Sequence, residues 1–290
     1  MEKLKNINYF SVDMVDLREV AGNGSRVIDA DDLSVVFNGK PSVSPFLREG
    51  QIYQLPEPRL LLVISGEADV HLNLEQYHFN RGAVVLTSPD TILEMERCSD
   101  DLMVSGLAVK ESLDVDEITV AFASARDFEQ LEHMLYIIGD IADRDASRRD
   151  TLRHLVLAMI SSVKHIKQAT ENTSFTTLPT RGQQQFQRFK ALVNKYCENE
   201  RNIPFYAQQL QVTPHHLSAV ISRASGHSVM YWINRAVALR AKVLLRTTDL
   251  MTYEIAERLN FSNPPTFNNF FKRETGMTPK MYRELPLDEK

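Results

Sequence analysis

Cysteine is nearly absent: a chain of 290 residues holds two, Cys98 and Cys197. They stand 99 positions apart and outside any metal-ligand spacing, which excludes a disulfide scaffold and a zinc site. Long apolar runs are missing as well. Leu60 to Ile64 is a run of five residues, against the roughly 20 needed to cross a bilayer. The amino terminus, Met1-Glu-Lys-Leu-Lys-Asn6, has neither the apolar core nor the small-residue cleavage site of a secretory signal. These absences predict a soluble, cytoplasmic protein without a membrane partner. What is present is ordinary globular composition, 43% apolar and 24% charged, at a length that predicts about two domains.

Charge is distributed unevenly. Residues 1–180 hold 17 Lys/Arg against 29 Asp/Glu, a net of −12, whereas residues 181–290 hold 16 against 9, a net of +7. An acidic half joined to a basic half points to a nucleic-acid-binding part attached to a part of another kind. The change of sign falls in a hydroxyl-rich stretch, Glu171 to Gly182, whose Pro179 and Gly182 suit a linker.

The first hundred or so residues read as strands. Segments 35–37, 51–55, 59–64, 68–74 and 83–86 are short and rich in β-formers, with turn residues such as Asn38-Gly39, Ser65-Gly66 and Ser88-Pro89-Asp90 between them. Many short strands with regular turns predict a sandwich or jelly-roll barrel. In 68–74 the alternation sets Val70, Leu72 and Leu74 on one face and Asp69, His71 and Asn73 on the other.

Two amphipathic helices follow. Phe128, Leu131, Leu135 and Ile138 form one apolar stripe; Leu152, Val156, Met159, Val163 and Ile166 form another. Heptad spacing suits an antiparallel pair or a dimer seam, which Leu152, Val156, Met159 and Val163 would build. The same stripes would equally serve a helix pair covering one end of the β domain.

From residue 183 onward the pattern is helical and repeats itself. Tyr206 to Val212 matches Ile255 to Phe261; Leu217, Ile221, Arg223, Gly226 and Ser228 then fall opposite Phe267, Phe271, Arg273, Gly276 and Thr278. Each copy is a helix, a tight turn and a second helix closed by glycine, the layout of a helix-turn-helix. The helix between the copies covers about 19 residues, roughly 28 Å. That is close to the spacing of about 34 Å between successive major-groove faces.

At this point the sequence resembles the AraC family of bacterial transcription regulators, over about 100 residues from 183 to 284. The resemblance is carried by Leu217-Ser218, Ser225-Gly226-His227-Ser228, Arg240 to Leu245, Glu254-Ile255-Ala256, Phe261, Phe267, and above all Phe270 to Pro279 with Tyr282-Arg283. It implies an α+β chain: a cupin-like β-barrel or jelly roll with a helical dimerisation segment, then an all-α domain of seven helices with two helix-turn-helix motifs. The corresponding divisions are 1–125 for the β sensing or dimerisation domain, 126–171 for the helical dimerisation segment, 172–182 for the linker and 183–290 for the DNA-binding domain. It also implies a homodimer on double-stranded DNA, more often an activator, with RNA polymerase as a further partner.

The DNA-facing residues follow from helical spacing and from that resemblance together. On the first reader they are Thr213, His215, His216, Ser218, Ala219, Ser222 and Arg223. On the second they are Asn263, Thr266, Asn268, Asn269, Lys272 and Arg273. Asparagine suits a bidentate contact with adenine, and Lys272 or Arg273 a phosphate. Three departures from the family pattern stand out. Ala219 occupies a place where arginine is common, Asn260 one where glycine is usual, and Pro264-Pro265 two where polar readers are frequent.

No cofactor, metal or catalytic residue is expected. His71-x-Asn73-x-Glu75 resembles a degraded metal half-motif, but no histidine follows between 79 and 132 to complete it. The β domain therefore either binds a small organic effector that controls the DNA-binding half, or serves only dimerisation or protein contact. A polar interior would favour the first and a solidly apolar interior the second.

Overall fold

The computed structural model describes residues 10–13, 16–22, 24–44, 47–111, 113–145, 147–173 and 180–285. The chain forms two compact units, Tyr9–Leu178 and a second built on Pro179–Lys290. The linker expected at 172–182 lies largely, at 174–179, outside the described residues.

The first unit contains ten described strands, all paired antiparallel, in two sheets. Strands β1 (Arg26–Asp29), β2 (Leu33–Gly39), β4 (Arg59–Ser65), β7 (Ala83–Thr87), β9 (Met103–Val109) and β10 (Thr119–Phe122) form a six-stranded sheet in the order β1-β2-β9-β4-β7-β10. Strands β3 (Ile52–Leu55), β5 (Ala68–Leu72), β6 (Glu75–Phe79) and β8 (Thr91–Cys98) form the other, in the order β3-β8-β5-β6. A short helix, α1 (Leu17–Ala21), precedes them, and α2 (Ala125–Arg144) and α3 (Arg149–Thr173) follow.

The larger sheet is buried on both sides, which is why β4 reads as an unbroken apolar run. Leu60 and Leu62 of β4, with Val84 and Leu86 of β7, join the core that holds Leu131, Leu135, Met159 and Val163 of α2 and α3. Their neighbours Val63, Ala83 and Val85 face the other way, into a core with Val70, Leu72 and Met95 of the smaller sheet. Helix α2 comes so near the sheet that a Cβ added at Gly139 would stand 2.7 Å from the Phe37 ring.

This packing corrects the dimer-seam expectation. Leu152 and Val156 are 2% exposed and Met159 and Val163 are fully buried, within the chain's own core. The heptad stripe of α3 is consumed in covering the sheet, so these four side chains have no surface left for a second copy. Ile138 and Leu131 of α2 are buried in the same way.

Strand 68–74 is also corrected. β5 ends at Leu72, Asn73 turns into the left-handed region at φ 55°, and the chain reverses so that His71 pairs with Gln76. The Asn73 Oδ1 accepts the Ile92 amide at 2.9 Å. His71, Asn73 and Glu75 therefore do not share a strand face, and no group of three potential metal ligands occurs among the described residues.

The second unit is helical. Seven described helices follow one another: α4 (Arg181–Tyr196), α5 (Ile203–Gln209), α6 (Pro214–Ser225), α7 (Val229–Thr247), α8 (Thr252–Arg258), α9 (Pro264–Thr275) and α10 (Pro279–Arg283). Among the described residues, no helix is long and apolar enough to cross a membrane.

Candidate nucleic-acid interface

Two helix pairs, α5–α6 and α8–α9, are built on one plan. Asn202 caps α5 by accepting the Phe205 amide at 3.0 Å, and Glu254 reaches back to the Met251 amide at 2.6 Å at the start of α8. Each turn is then closed by the same bond: Val212 N donates to Ala207 O at 2.9 Å, and Phe261 N to Ala256 O at 2.8 Å. In each turn one residue lies in the left-handed region, Gln211 at φ 56° and Asn260 at φ 55°. Ala207 and Ala256 are both 1% exposed at these closures, where a larger side chain would push the helices apart.

The second helices begin and end alike. Thr213 Oγ1 accepts the His216 amide at 3.2 Å, and Asn263 Oδ1 the Thr266 amide at 2.9 Å. Proline follows each cap, where a missing N–H costs the helix nothing. Gly226 at φ 74° and Gly276 at φ 80° end α6 and α9, conformations that disfavour a side chain.

Burial fixes which faces remain outward. Leu217 and Ile221 of α6 are core, while Val220 and Ala224 are only partly buried. His215, His216, Ala219, Ser222 and Arg223 are exposed. Ser218 is half-buried, and its hydroxyl donates to Pro214 O at 2.9 Å. On α9, Phe267, Phe270 and Phe271 are buried; Asn268, Asn269, Lys272 and Arg273 are exposed.

Three of the expected contact residues have their polar atoms engaged in caps. Thr213 and Asn263 are the cap acceptors themselves, and Thr266 Oγ1 donates to Asn263 Oδ1 at 2.8 Å. Arg273 pairs with Glu274 at 2.7 Å and lies 5.5 Å from the Phe270 ring centroid. Asn268 and Asn269 are thus the polar groups on the outer face of α9 least committed to the fold, with Lys272 one turn on.

The rod between the two helix pairs is α7, whose 19 residues span roughly 28 Å. Its buried side carries Val229, Ile233, Ala236, Val237, Ala241 and Leu244. Arg283 holds its far end: Nε donates at 3.2 Å to Leu245 O, a carbonyl that the helix terminus leaves open, and Nη2 donates at 2.6 Å to Leu250 O in the loop beyond. Arg246 Nη1 donates to Leu285 O at 2.8 Å. Part of the unit's positive charge is therefore structural.

One functional cluster escapes local sequence reasoning. The loop after α4 reaches the second helix pair: Glu198 pairs with Arg240 of α7 at 3.6 Å and Arg258 of α8 at 3.8 Å. Asn260 Nδ2 donates to Asn199 O at 2.8 Å, and Arg201 Nη2 to Asn260 O. These partners lie far apart in sequence, so no short motif announces them. Both thiols are poor nucleophiles: burial lifts Cys197 to about 11 against the pull of Arg240, and burial with Glu49 raises Cys98.

Residues 206–285 match the family described as helix-turn-helix domain. The chain is 29% identical over 93 residues to the uncharacterized HTH-type transcriptional regulator YtdP of Bacillus subtilis, covering 32% of this chain and 12% of that one. It is 28% identical over 90 residues to the HTH-type transcriptional activator RhaR of Cronobacter sakazakii, covering 30% and 32%. Among solved structures, the carboxyl-terminal domain of the response regulator AraT from Geobacillus stearothermophilus is similar, with 26% identity and a TM-score of 0.35, over 38% of this chain and 93% of that one. The chain thus spans under a third of the length of the two curated relatives.

Proposed function

We propose, from the premise that residues 206–285 form a helix-turn-helix domain, that this chain is a sequence-specific, DNA-binding regulator of transcription of the AraC type. Helices α6 and α9 enter adjacent major grooves of one duplex, with α7 as the spacer. The observation that carries the reading is the twofold plan itself: matched turn closures, left-handed turn residues and glycine ends in both pairs. A helical bundle that merely packs has no need of that duplication or of a net charge of +7 over residues 181–290.

Base contacts are assigned to His215, Ser218 and Ala219 on α6 and to Asn268 and Asn269 on α9, with Lys272, Arg273 and Arg223 on phosphates. Thr213, Asn263 and Thr266 act by fixing the helix starts. The name of the RhaR relative, a transcriptional activator, supports a reading as an activator, with RNA polymerase as a further partner and the cytoplasm as its place of work. Self-association as a dimer would use surface other than the buried stripe of α3.

The β unit is read as the sensor. Its two sheets enclose a hollow of about 160 Å³, and unfilled space in a core that could have closed favours a ligand. The lining is apolar, which alone would favour a protein-contact module; the hollow weighs the other way.

Footprinting of the whole chain on duplex DNA tests the reading. Two protected patches about one helical turn apart are expected, with log affinity falling steeply as log salt rises. A single patch, or a flat salt response, overturns it.

A further inference from the structure

The hollow of the β unit has a particular chemistry. Leu61 and Val85 line it from the larger sheet, Val70 and Met95 from the smaller, and Phe10 from the segment before α1. Amid this apolar wall stands Arg59, 7% exposed. Its guanidinium donates to the Phe10 carbonyl and pairs with Glu57 at 3.2 Å, while its Cζ lies 4.5 Å from the Phe10 ring centroid. Glu57 in turn accepts from Ser11 Oγ and from the Val12 amide. The Arg59 Nε–H has no acceptor among the described residues.

We infer that the hollow takes a small, uncharged, largely apolar molecule bearing one acceptor oxygen, to which the Arg59 Nε–H donates once the guanidinium turns to meet it. This deepens the sensor reading above and rests on it. The argument runs on charge and on hydrogen-bond capacity. Arg59 and Glu57 neutralise each other, so a ligand carboxylate would leave one uncompensated negative charge among apolar side chains. Lys40, the other basic residue on the wall, is partly exposed, so its ammonium is served by water. A sugar fails for a different reason. Its hydroxyls need several partners, and the wall offers few: Ser34 donates to Asp29 at 2.6 Å, and Thr87 Oγ1 already accepts the Arg59 amide at 3.0 Å. A pure hydrocarbon would fit the shape but leave the guanidinium donor unmet. For size, an apolar cavity of about 150 Å³ is known to hold benzene.

Three probes of nearly one shape separate the cases: acetophenone, benzoate and ethylbenzene, with a free hexose as a fourth. Binding to the full chain is followed by saturation-transfer NMR and by the melting temperature. Acetophenone is expected to bind saturably, ethylbenzene about tenfold more weakly, and benzoate and the hexose not at all. Equal binding of acetophenone and ethylbenzene would remove Arg59 from the recognition; tighter binding of benzoate, or no binding of any probe, would overturn the inference. Because Arg59→Met alone strands the Glu57 carboxylate, the paired variant Glu57→Gln/Arg59→Met is used, and it should erase the preference for acetophenone. Val70→Phe, which fills the hollow without touching the ion pair, should abolish binding while the chain still footprints DNA. Acetophenone bound with unchanged DNA affinity would sink the sensor reading and leave the ligand class standing; loss of the class with intact footprinting does the reverse.

Discussion

The guanidinium of Arg201 lies over the ring of Phe261, 3.8 Å from its centroid, and Nη2 donates to the carbonyl of Asn260. Arg201 belongs to the loop that opens the first helix pair; Phe261 and Asn260 form the turn of the second. With Glu198 bridging to Arg240 and Arg258, the contact ties the two helix pairs together beside α7. Their spacing thus depends on more than one helix.

Arg201→Ala removes the cation from the ring and the donor from the carbonyl. A cation–π contact of this kind is worth about 0.5–2 kcal/mol, so a fall of that size in the stability of the helical unit is expected by thermal melting. On DNA carrying both contact patches, affinity should drop further than on DNA with one patch scrambled. Equal losses on the two substrates would mean that Arg201 supports folding alone.

The two left-handed turn residues should respond differently to glycine. Gln211 at φ 56° bears a conformation that costs an ordinary side chain about 1–2 kcal/mol. Gln211→Gly should therefore raise stability, by about 1 kcal/mol after the added freedom of the unfolded chain is set against the gain. Asparagine tolerates this region better, and Asn260 also donates to Asn199 O at 2.8 Å. Asn260→Gly is expected to gain nothing or to lose stability. Melting of the two variants side by side checks the order.

The helical unit is legible in the chain because its signals are local. Thr213-Pro214, Asn263-Pro264 and Thr278-Pro279 each announce a helix start, and Gly226 and Gly276 two ends, all within a few residues of the structure they set. The β unit is less so. β6, Glu75–Phe79, is largely polar, and β8 loses its alternation where a register shift sets Asp69 against Arg97 and Val70 against Met95. Alternation also ran on through Leu74 although the strand stops at Leu72, because a turn with φ 55° at Asn73 leaves no mark in the hydropathy. The α3 stripe shows the deeper limit: an apolar heptad states that something covers it, not whether that something is a partner chain or the chain's own sheet.

Val156→Asp distinguishes those two covers. With Val156 at 2% exposure in the core, a carboxylate there should cost several kcal/mol and unfold the β unit, seen as loss of a cooperative melting transition. Ile137 on the outer side of α2 is 51% exposed. Ile137→Asp should leave the melting temperature nearly unchanged, within about 0.5 kcal/mol in stability. Should Val156→Asp melt like the parent chain and change only its sedimenting mass, the stripe would be a seam after all.

Cys197 sets a limit at alkaline pH. Burial lifts its thiol to about 11, above the roughly 8.5 of an unfolded chain. Since the folded state holds this proton longer, its contribution to stability is complete below pH about 8.5 and is lost as pH rises toward 11. Melting temperature should therefore fall over that interval, and the fall should be shallower in Cys197→Ala. At pH 8 a maleimide should reach the partly exposed Cys98 before the buried Cys197, and slowly, since the Cys98 thiol is also raised.

On the proposed function, Asn268, Asn269 and Lys272 divide the work of α9 between reading and holding. An asparagine in bidentate contact with adenine discriminates by about 1–3 kcal/mol against the wrong base, so Asn268→Ala or Asn269→Ala should flatten preference at one position of the site and leave the rest intact. Lys272, one turn further along the same exposed face, is proposed to meet phosphate, a contact that carries no sequence information. Lys272→Ala should weaken all sites alike and reduce the slope of log affinity against log salt by about 1. On α6, Ala219 leaves a gap where a longer donor could reach a base edge, so Ala219→Arg is expected to add a preference for guanine at one position. Affinity measured across a panel of single-base site variants, at two salt concentrations, separates the three behaviours. If Asn268→Ala, Asn269→Ala and Lys272→Ala all act uniformly across the panel, α9 does not read sequence through this face.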